Sequence, residues 1–173
     1  RPVPDDVAAA LGANLFLTRL AGHGRDGAAM AEPTAGDWLE DMAEAMAIGR
    51  RLGDRVVLIG TSTGGTLAAL AATDPALSQG LAGVVLVSPN FKVRNAAAFL
   101  LDLPLAPVWA PWIAGREAGF TPINDGHAAH WTTAYPSSAF FPMAALLREA
   151  KRTDFAAAQV PLLVLSNPTD QVI

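Results

Sequence analysis

Short runs of consecutive apolar residues alternate along this chain with longer stretches in which apolar positions recur every three or four residues. Arg55-Val56-Val57-Leu58-Ile59, Ala82-Gly83-Val84-Val85-Leu86-Val87 and Pro161-Leu162-Leu163-Val164-Leu165 are short runs rich in β-branched and apolar residues, which predicts strands buried on both faces. Asn14-Leu15-Phe16-Leu17-Thr18-Arg19-Leu20 is a further predicted strand, closing in the turn Gly22-His23-Gly24. Between these runs lie helical patterns. Pro4 to Leu11 predicts a short helix ended by Gly12. Thr34 with Asp37 three residues on resembles a capping box, and the helix it opens carries Leu39, Met42, Met46 and Gly49 on one stripe before ending near Gly53. A third helix covers residues 64–73 and is stopped by Asp74-Pro75. Strands alternating with helices predict an α/β fold, a parallel sheet flanked by helices with right-handed crossovers.

The rhythm breaks once. About 70 residues separate the strand at 82–87 from that at 161–165, and they hold eight of the 13 prolines, counting Pro89 and Pro161 at the borders, and three of the four tryptophans, Trp109, Trp112 and Trp131. So long a departure predicts a helical cap over the C-terminal edge of the sheet, where open α/β folds bind ligands. The expected division is a core of residues 1–89 and 155–173 with a cap inserted at 90–154.

Composition narrows the function. The 173 residues suit one domain, and with 51% hydrophobic and 16% charged residues much of the chain must be buried or face an apolar pocket. Net charge is −4 and no basic cluster exceeds Arg50-Arg51, which argues against nucleic acid as a partner. There is no cysteine, hence no disulfide, thiol nucleophile or thiolate metal site, and the compartment stays open. The apolar stretch from Phe99 to Ala114 is too short and too rich in proline, with Asp102 inside it, to predict a membrane span.

Gly60-Thr61-Ser62-Thr63-Gly64 carries the clearest chemistry. A serine between a buried strand and a helix, with glycine two residues to either side, has the pattern of a nucleophile elbow. The expectation is that both glycines are needed because strand and helix backbones pass too close for a Cβ. Ser62 is then the candidate nucleophile, and the amide of Thr63 at the helix N-terminus a candidate oxyanion donor. A phosphate-cradling loop would instead need a P-loop lysine or the G-x-G-x-x-G spacing, and neither is present.

Arg19-Leu20-Ala21-Gly22-His23-Gly24, the Ser62 motif, and the stretch from Leu163 to Ile173 together resemble the α/β-hydrolases. The likeness is to the monoacylglycerol lipase and carboxylesterase type, often grouped with serine aminopeptidase-like hydrolases. It extends over essentially the whole chain and is weakest in the cap. It implies the order serine, acid, histidine, with the acid just after the strand that follows the cap; Asp170 in Asp170-Gln171-Val172-Ile173 matches that position. It also implies that the Gly22-His23-Gly24 turn shapes the pocket floor, which makes His23 structural. His127 and His130 stand three apart on one predicted helical turn, but no acidic or thiol partner lies at ligand spacing, so no metal and no cofactor is expected.

The resemblance further implies a catalytic histidine a few tens of residues beyond the acid, and a strand with a His-Gly loop before the first helix. The chain has neither, so residues 1–173 are expected to be an internal portion of a longer protein, with a gap in its sheet between 14–20 and 55–59. The expected function is a serine hydrolase that cleaves esters of small-to-medium apolar acyl groups, its pocket lined by residues such as Phe91, Leu100, Leu103, Trp109 or Trp112. The partner is then a small apolar ester. Amide hydrolysis or acyl transfer would use the same residues, and a non-catalytic module binding an apolar ligand is the alternative of a different class.

Overall fold

The computed structural model describes residues 2–92, 100, 101, 103 and 105–167. Helix α1 (Pro2–Leu11) ends at Gly12, whose φ of +59° only glycine adopts without strain. Residues 14–20, predicted as a strand, pair with no strand among the described residues and leave Leu15, Phe16 and Leu17 exposed. An extended run becomes a strand only when a neighbour accepts its ladder bonds, and among the described residues none lies beside this one. Instead Asn14 ties to the end of the next helix, its Nδ2 donating to the Leu52 carbonyl at 2.6 Å.

Helix α2 (Ala35–Leu52) starts as its residues dictate. Asp37 donates its main-chain N–H to the Thr34 hydroxyl at 3.2 Å, and the Asp37 carboxylate accepts the Thr34 N–H at 2.6 Å. Its apolar stripe buries Trp38, Met42 and Met46. Strand β1 (Val56–Ser62) leads directly into α3 (Thr63–Thr73), and β2 (Leu81–Pro89) follows. Both strands run further at their C-terminal ends than the apolar runs predict, because main-chain pairing continues through Thr61 and Ser62 whatever their side chains.

After β2 come α4 (Ala106–Ala114), β3 (Glu117–Gly119), α5 (Asp125–His130), β4 (Ala134–Pro136) and α6 (Phe140–Arg152). Strands β3 and β4 pair antiparallel in a sheet of their own. The last described strand, β5 (Leu162–Leu165), returns to the main sheet. That sheet is parallel in the order β1-β2-β5, and Thr61, Val87 and Leu165 stand in one row across it. Everything that follows these three residues therefore leaves the sheet at the same edge.

Helix α3 packs on β1 and β2, while α2 and α6 pack on α3. Its run of Ala68, Ala69, Ala71 and Ala72 is buried, and these small side chains let it lie close beneath its neighbours. Trp38, Met46, Leu67, Val84, Leu86 and Leu146 close the core around it. Among the described residues no helix is long and apolar enough to cross a membrane.

Candidate active site

Strand β1 ends on Ser62 and α3 begins on Thr63, with no loop between. Ser62 makes that turn at φ +52° and ψ −118°, a left-handed conformation rarely held by a residue with a Cβ. A serine at a helix N-cap ordinarily turns its hydroxyl back onto the first amides. Here the backbone carries it elsewhere: the Ser62 hydroxyl caps none of them, and the residue is exposed. The result is a serine Oγ on the surface beside unused helix amides.

Of the two glycines that bracket Ser62, only Gly60 is required by space. A Cβ on Gly60 would overlap the Gly64 carbonyl and come within 2.7 Å of the Gly65 nitrogen, whereas a Cβ on Gly64 would meet nothing within 4 Å. The second crowded position is Gly65, whose Cβ would stand 3.0 Å from the Pro89 side chain. The close approach of strand and helix thus runs through Gly60 and Gly65, and the expected need for Gly64 is not met.

The neighbouring strand is deformed at the same level. Pairing passes from Thr61↔Val87 to Ser62↔Pro89, so Ser88 is an extra residue in β2, and it too has a positive φ, +41°. This bulge brings Asn90 beside the serine turn. The Asn90 main-chain amide donates to the Ser62 carbonyl at 3.1 Å, and its carbonyl accepts the buried Thr66 hydroxyl at 2.6 Å. Nothing in the sequence pattern separated Ser88-Pro89-Asn90 from an ordinary turn after a strand, since a bulge is set by pairing and not by local propensity.

Each of the three histidines is engaged in its own neighbourhood. His23 sits in the predicted turn between Gly22 (φ +77°) and Gly24 (φ +65°), with its Nδ1 3.2 Å from the Ala21 carbonyl and its ring edge-on to Trp38 at 5.7 Å. The same carbonyl accepts the Trp38 indole N–H at 3.0 Å, and the Asp41 carboxylate accepts the Ala21 amide at 2.6 Å. His127 stacks on Phe120 at 5.0 Å and meets Trp131 edge-on, its Nδ1 accepting from the Ile123 amide at 3.3 Å. His130 Nδ1 lies 2.8 Å from the Gly126 carbonyl. Among the described residues no three metal-ligating side chains gather.

Asp170 lies outside the described residues. Strand β5 ends at Leu165, level with Thr61, so the chain that leads to Asp170 departs from the edge that carries Ser62. Of the residues expected to line an apolar pocket, Phe91 instead packs against Phe155 at 5.2 Å and against the core. Trp112 is 78% exposed with the Arg116 guanidinium 5.1 Å above its ring, because the buried side of α4 is formed by Ala106 and Ala110. A cavity of about 330 Å³ runs along α4 between Pro107, Trp112, Arg116 and Ser138. Another, of about 340 Å³, lies under the Gly22 turn between Arg19, Arg25, Glu32 and Asp41. Ser62 lines neither.

A parallel sheet with a helix packed against it and a serine on a sharp strand-to-helix turn define the α/β-hydrolase class. Residues 6–173 match the model of the serine aminopeptidase, S33, family, and the chain belongs to that family. Two solved structures share the fold. One, reported for LipS and LipT, two metagenome-derived lipolytic enzymes, superposes with a TM-score of 0.71 at 22% identity and covers 90% of this chain. The other, a protein of Agrobacterium vitis S4 provisionally termed a hydrolase, gives 0.51 at 21% identity over 92% of this chain. The chain spans 60% and 59% of their respective lengths. No curated protein matches it.

Proposed function

We propose that this chain carries the nucleophile of a serine hydrolase that cleaves carboxylic esters of small-to-medium apolar acyl groups through an acyl-enzyme. The observation that carries this is Ser62: a strained, exposed serine whose hydroxyl is withheld from helix capping. Strain of this kind is maintained only where the surrounding structure holds it, here Gly60 and Gly65 in close contact and the Asn90 bond.

In the proposed reaction the Ser62 Oγ attacks the ester carbonyl while a histidine takes its proton. The Thr63 amide, at the first helical position, donates to the oxyanion that forms; one such donor lowers the barrier by roughly 3 kcal/mol. Asp170, arriving from the end of β5, accepts the other ring N–H of the histidine and holds its tautomer. The base is assigned to none of His23, His127 and His130: each meets local main chain, and His23 and His127 also pack on aromatic rings. In this reading the cap is the insertion 90–154, whose last helix, α6, also packs on α2 and α3. The likeness to a lipolytic enzyme supports the ester reading over the amide one, and an apolar pocket gains about 0.8 kcal/mol for each methylene it buries.

The test is a p-nitrophenyl ester series run on the wild type and Ser62→Ala. Specificity constants should rise from acetate to medium chains and then fall, and all should collapse in the variant. A strict preference for acetate, or for a peptide amide over every ester, would overturn the ester assignment.

A further inference from the structure

We propose that helix α4 is a docking surface for a phospholipid membrane, its large apolar side chains entering the acyl layer and the Arg116 guanidinium meeting a headgroup phosphate.

Burial on α4 is inverted. Its inner side consists of Ala106 and Ala110, which are buried where the helix packs on the turn Ser137–Ala139. Its large apolar residues face out: Leu105 is 74% exposed, Val108 66%, Trp112 78% and Ile113 74%. Leu105, Val108 and Trp112 follow at intervals of three and four, so with Ile113 they make one stripe rather than scattered contacts with water. Leu105 is the clearest case. It holds φ +58° and ψ +18°, a left-handed conformation that asparagine or glycine adopts more readily, so neither burial nor backbone gains from leucine there.

The main chain suits the same surroundings. A helix N-terminus ordinarily leaves its first amides to water. Here the Ala106 N–H donates to the Leu103 carbonyl at 3.2 Å, and those of Val108 and Trp109 donate to the Leu105 carbonyl at 2.9 and 3.3 Å. Pro107 has no N–H to place. No amide from Ala106 to Trp109 is left wanting water, so this turn can enter an apolar layer without stranding a donor.

Charge identifies the partner. From Leu103 to Arg116 the sequence carries a single charge, that of Arg116. Its guanidinium lies 5.1 Å over the Trp112 ring, and both residues line the cavity of about 330 Å³ beside Ser138. Tryptophan and arginine at the rim of an apolar stripe anchor a helix where acyl chains meet headgroups, and guanidinium donors match phosphate oxygens. Glu117 follows, so the attraction rests on this one seated guanidinium and not on a basic patch. A protein partner would need polar groups to register against, and the side chains of the stripe offer none. At nine residues α4 is about 13 Å long, less than half the acyl layer, so it lies along the surface and does not cross it.

The experiment is co-sedimentation of the full protein with vesicles of phosphatidylcholine and phosphatidylglycerol at about 7:3. Wild type should pellet with the vesicles at millimolar lipid. Leu105→Asn/Val108→Ser/Ile113→Ser alters only exposed side chains, suits the backbone at 105, and should bind at least about thirtyfold more weakly. Arg116→Gln should bind about fivefold more weakly. Ser62→Ala should pellet like wild type, so this surface and the nucleophile assignment stand or fall separately. Wild type that stays in the supernatant, or a triple variant that pellets equally well, overturns the proposal. So does wild type that dimerises by size exclusion and ignores vesicles while the triple variant is monomeric, which gives the stripe to a second copy. Unchanged binding by Arg116→Gln overturns the headgroup contact. Should the triple variant fail to fold by circular dichroism, Val108→Ser/Ile113→Ser carries the same comparison.

Discussion

Ser62 and Asn90 are joined main chain to main chain, the Asn90 amide donating to the Ser62 carbonyl at 3.1 Å. The Thr66 hydroxyl closes on the Asn90 carbonyl from the first turn of α3, so the end of β2 grips the serine turn from both sides. The grip explains how a left-handed serine persists: three elements share the cost of holding it.

Ser62→Ala should lower turnover by several orders of magnitude and leave the melting temperature nearly unchanged, since the exposed hydroxyl caps nothing. Ser62→Gly should be equally inactive yet more stable by about 1 kcal/mol, because glycine relieves the positive φ. Chemical denaturation of the two variants separates loss of the nucleophile from release of strain.

The three glycines around the turn should not respond alike. Gly60→Ala should cost more than about 2 kcal/mol, as the new methyl meets the Gly64 carbonyl and main chain cannot yield cheaply. Gly64→Ala should be neutral or stabilising by up to about 1 kcal/mol, being in a helix with open space at its Cβ. Equal losses at both sites would show that the close approach runs elsewhere.

Thr66→Val keeps the shape of a wholly buried side chain and deletes its bond to Asn90. The loss should be about 1–3 kcal/mol, the usual cost of stranding a buried acceptor. Turnover should fall further than the change in stability alone accounts for, because the Ser62 carbonyl hangs from the same residue. Urea titration and kcat on one ester, measured together, check this.

The Thr34–Asp37 capping box sets an acid limit on α2. Hydrogen bonds from the Thr34 main chain and hydroxyl hold the Asp37 carboxyl below the usual carboxylate range. A depressed folded value means that its contribution is full above the ordinary value of the unfolded chain and is lost as pH falls through the lower, folded one. Thr34→Ala should remove about 1 kcal/mol near neutrality. The difference between wild type and Asp37→Asn, followed by thermal melts, should shrink toward zero at acid pH and stay constant from pH 6 to 8.

His127→Ala and His130→Ala should retain wild-type turnover on p-nitrophenyl esters as long as α5 and its aromatic neighbours stay folded. Loss of activity in either folded variant would restore that histidine as a candidate base.

How far the sequence reached is plain from particular residues. The capping box at Thr34, the stop at Asp74-Pro75, the glycines of the His23 turn and the junction at Ser62 are all local, set by side-chain chemistry within three or four residues, and each was legible in the order of the amino acids. So was the family, through motifs that combine such local features. Residues 14–20 show the opposite case. They have strand composition, but a ladder needs a neighbour, and no neighbour is written into the run itself.

The sequence by itself determined the α/β alternation, the extent of α2 and α3 within a residue or two, and a serine between a strand and a helix. Only the tertiary structure decided that Gly65 and not Gly64 is, with Gly60, a position without room for a Cβ, that β2 bulges at Ser88, that Trp112 faces outward, and that Asn90 is buried beside the Ser62 main chain. The physical reason is one of range. Caps, turns and helix stops are contests between a residue and its own neighbours in the chain, whereas bulges, close approaches and buried acceptors depend on which distant segment the fold lays alongside.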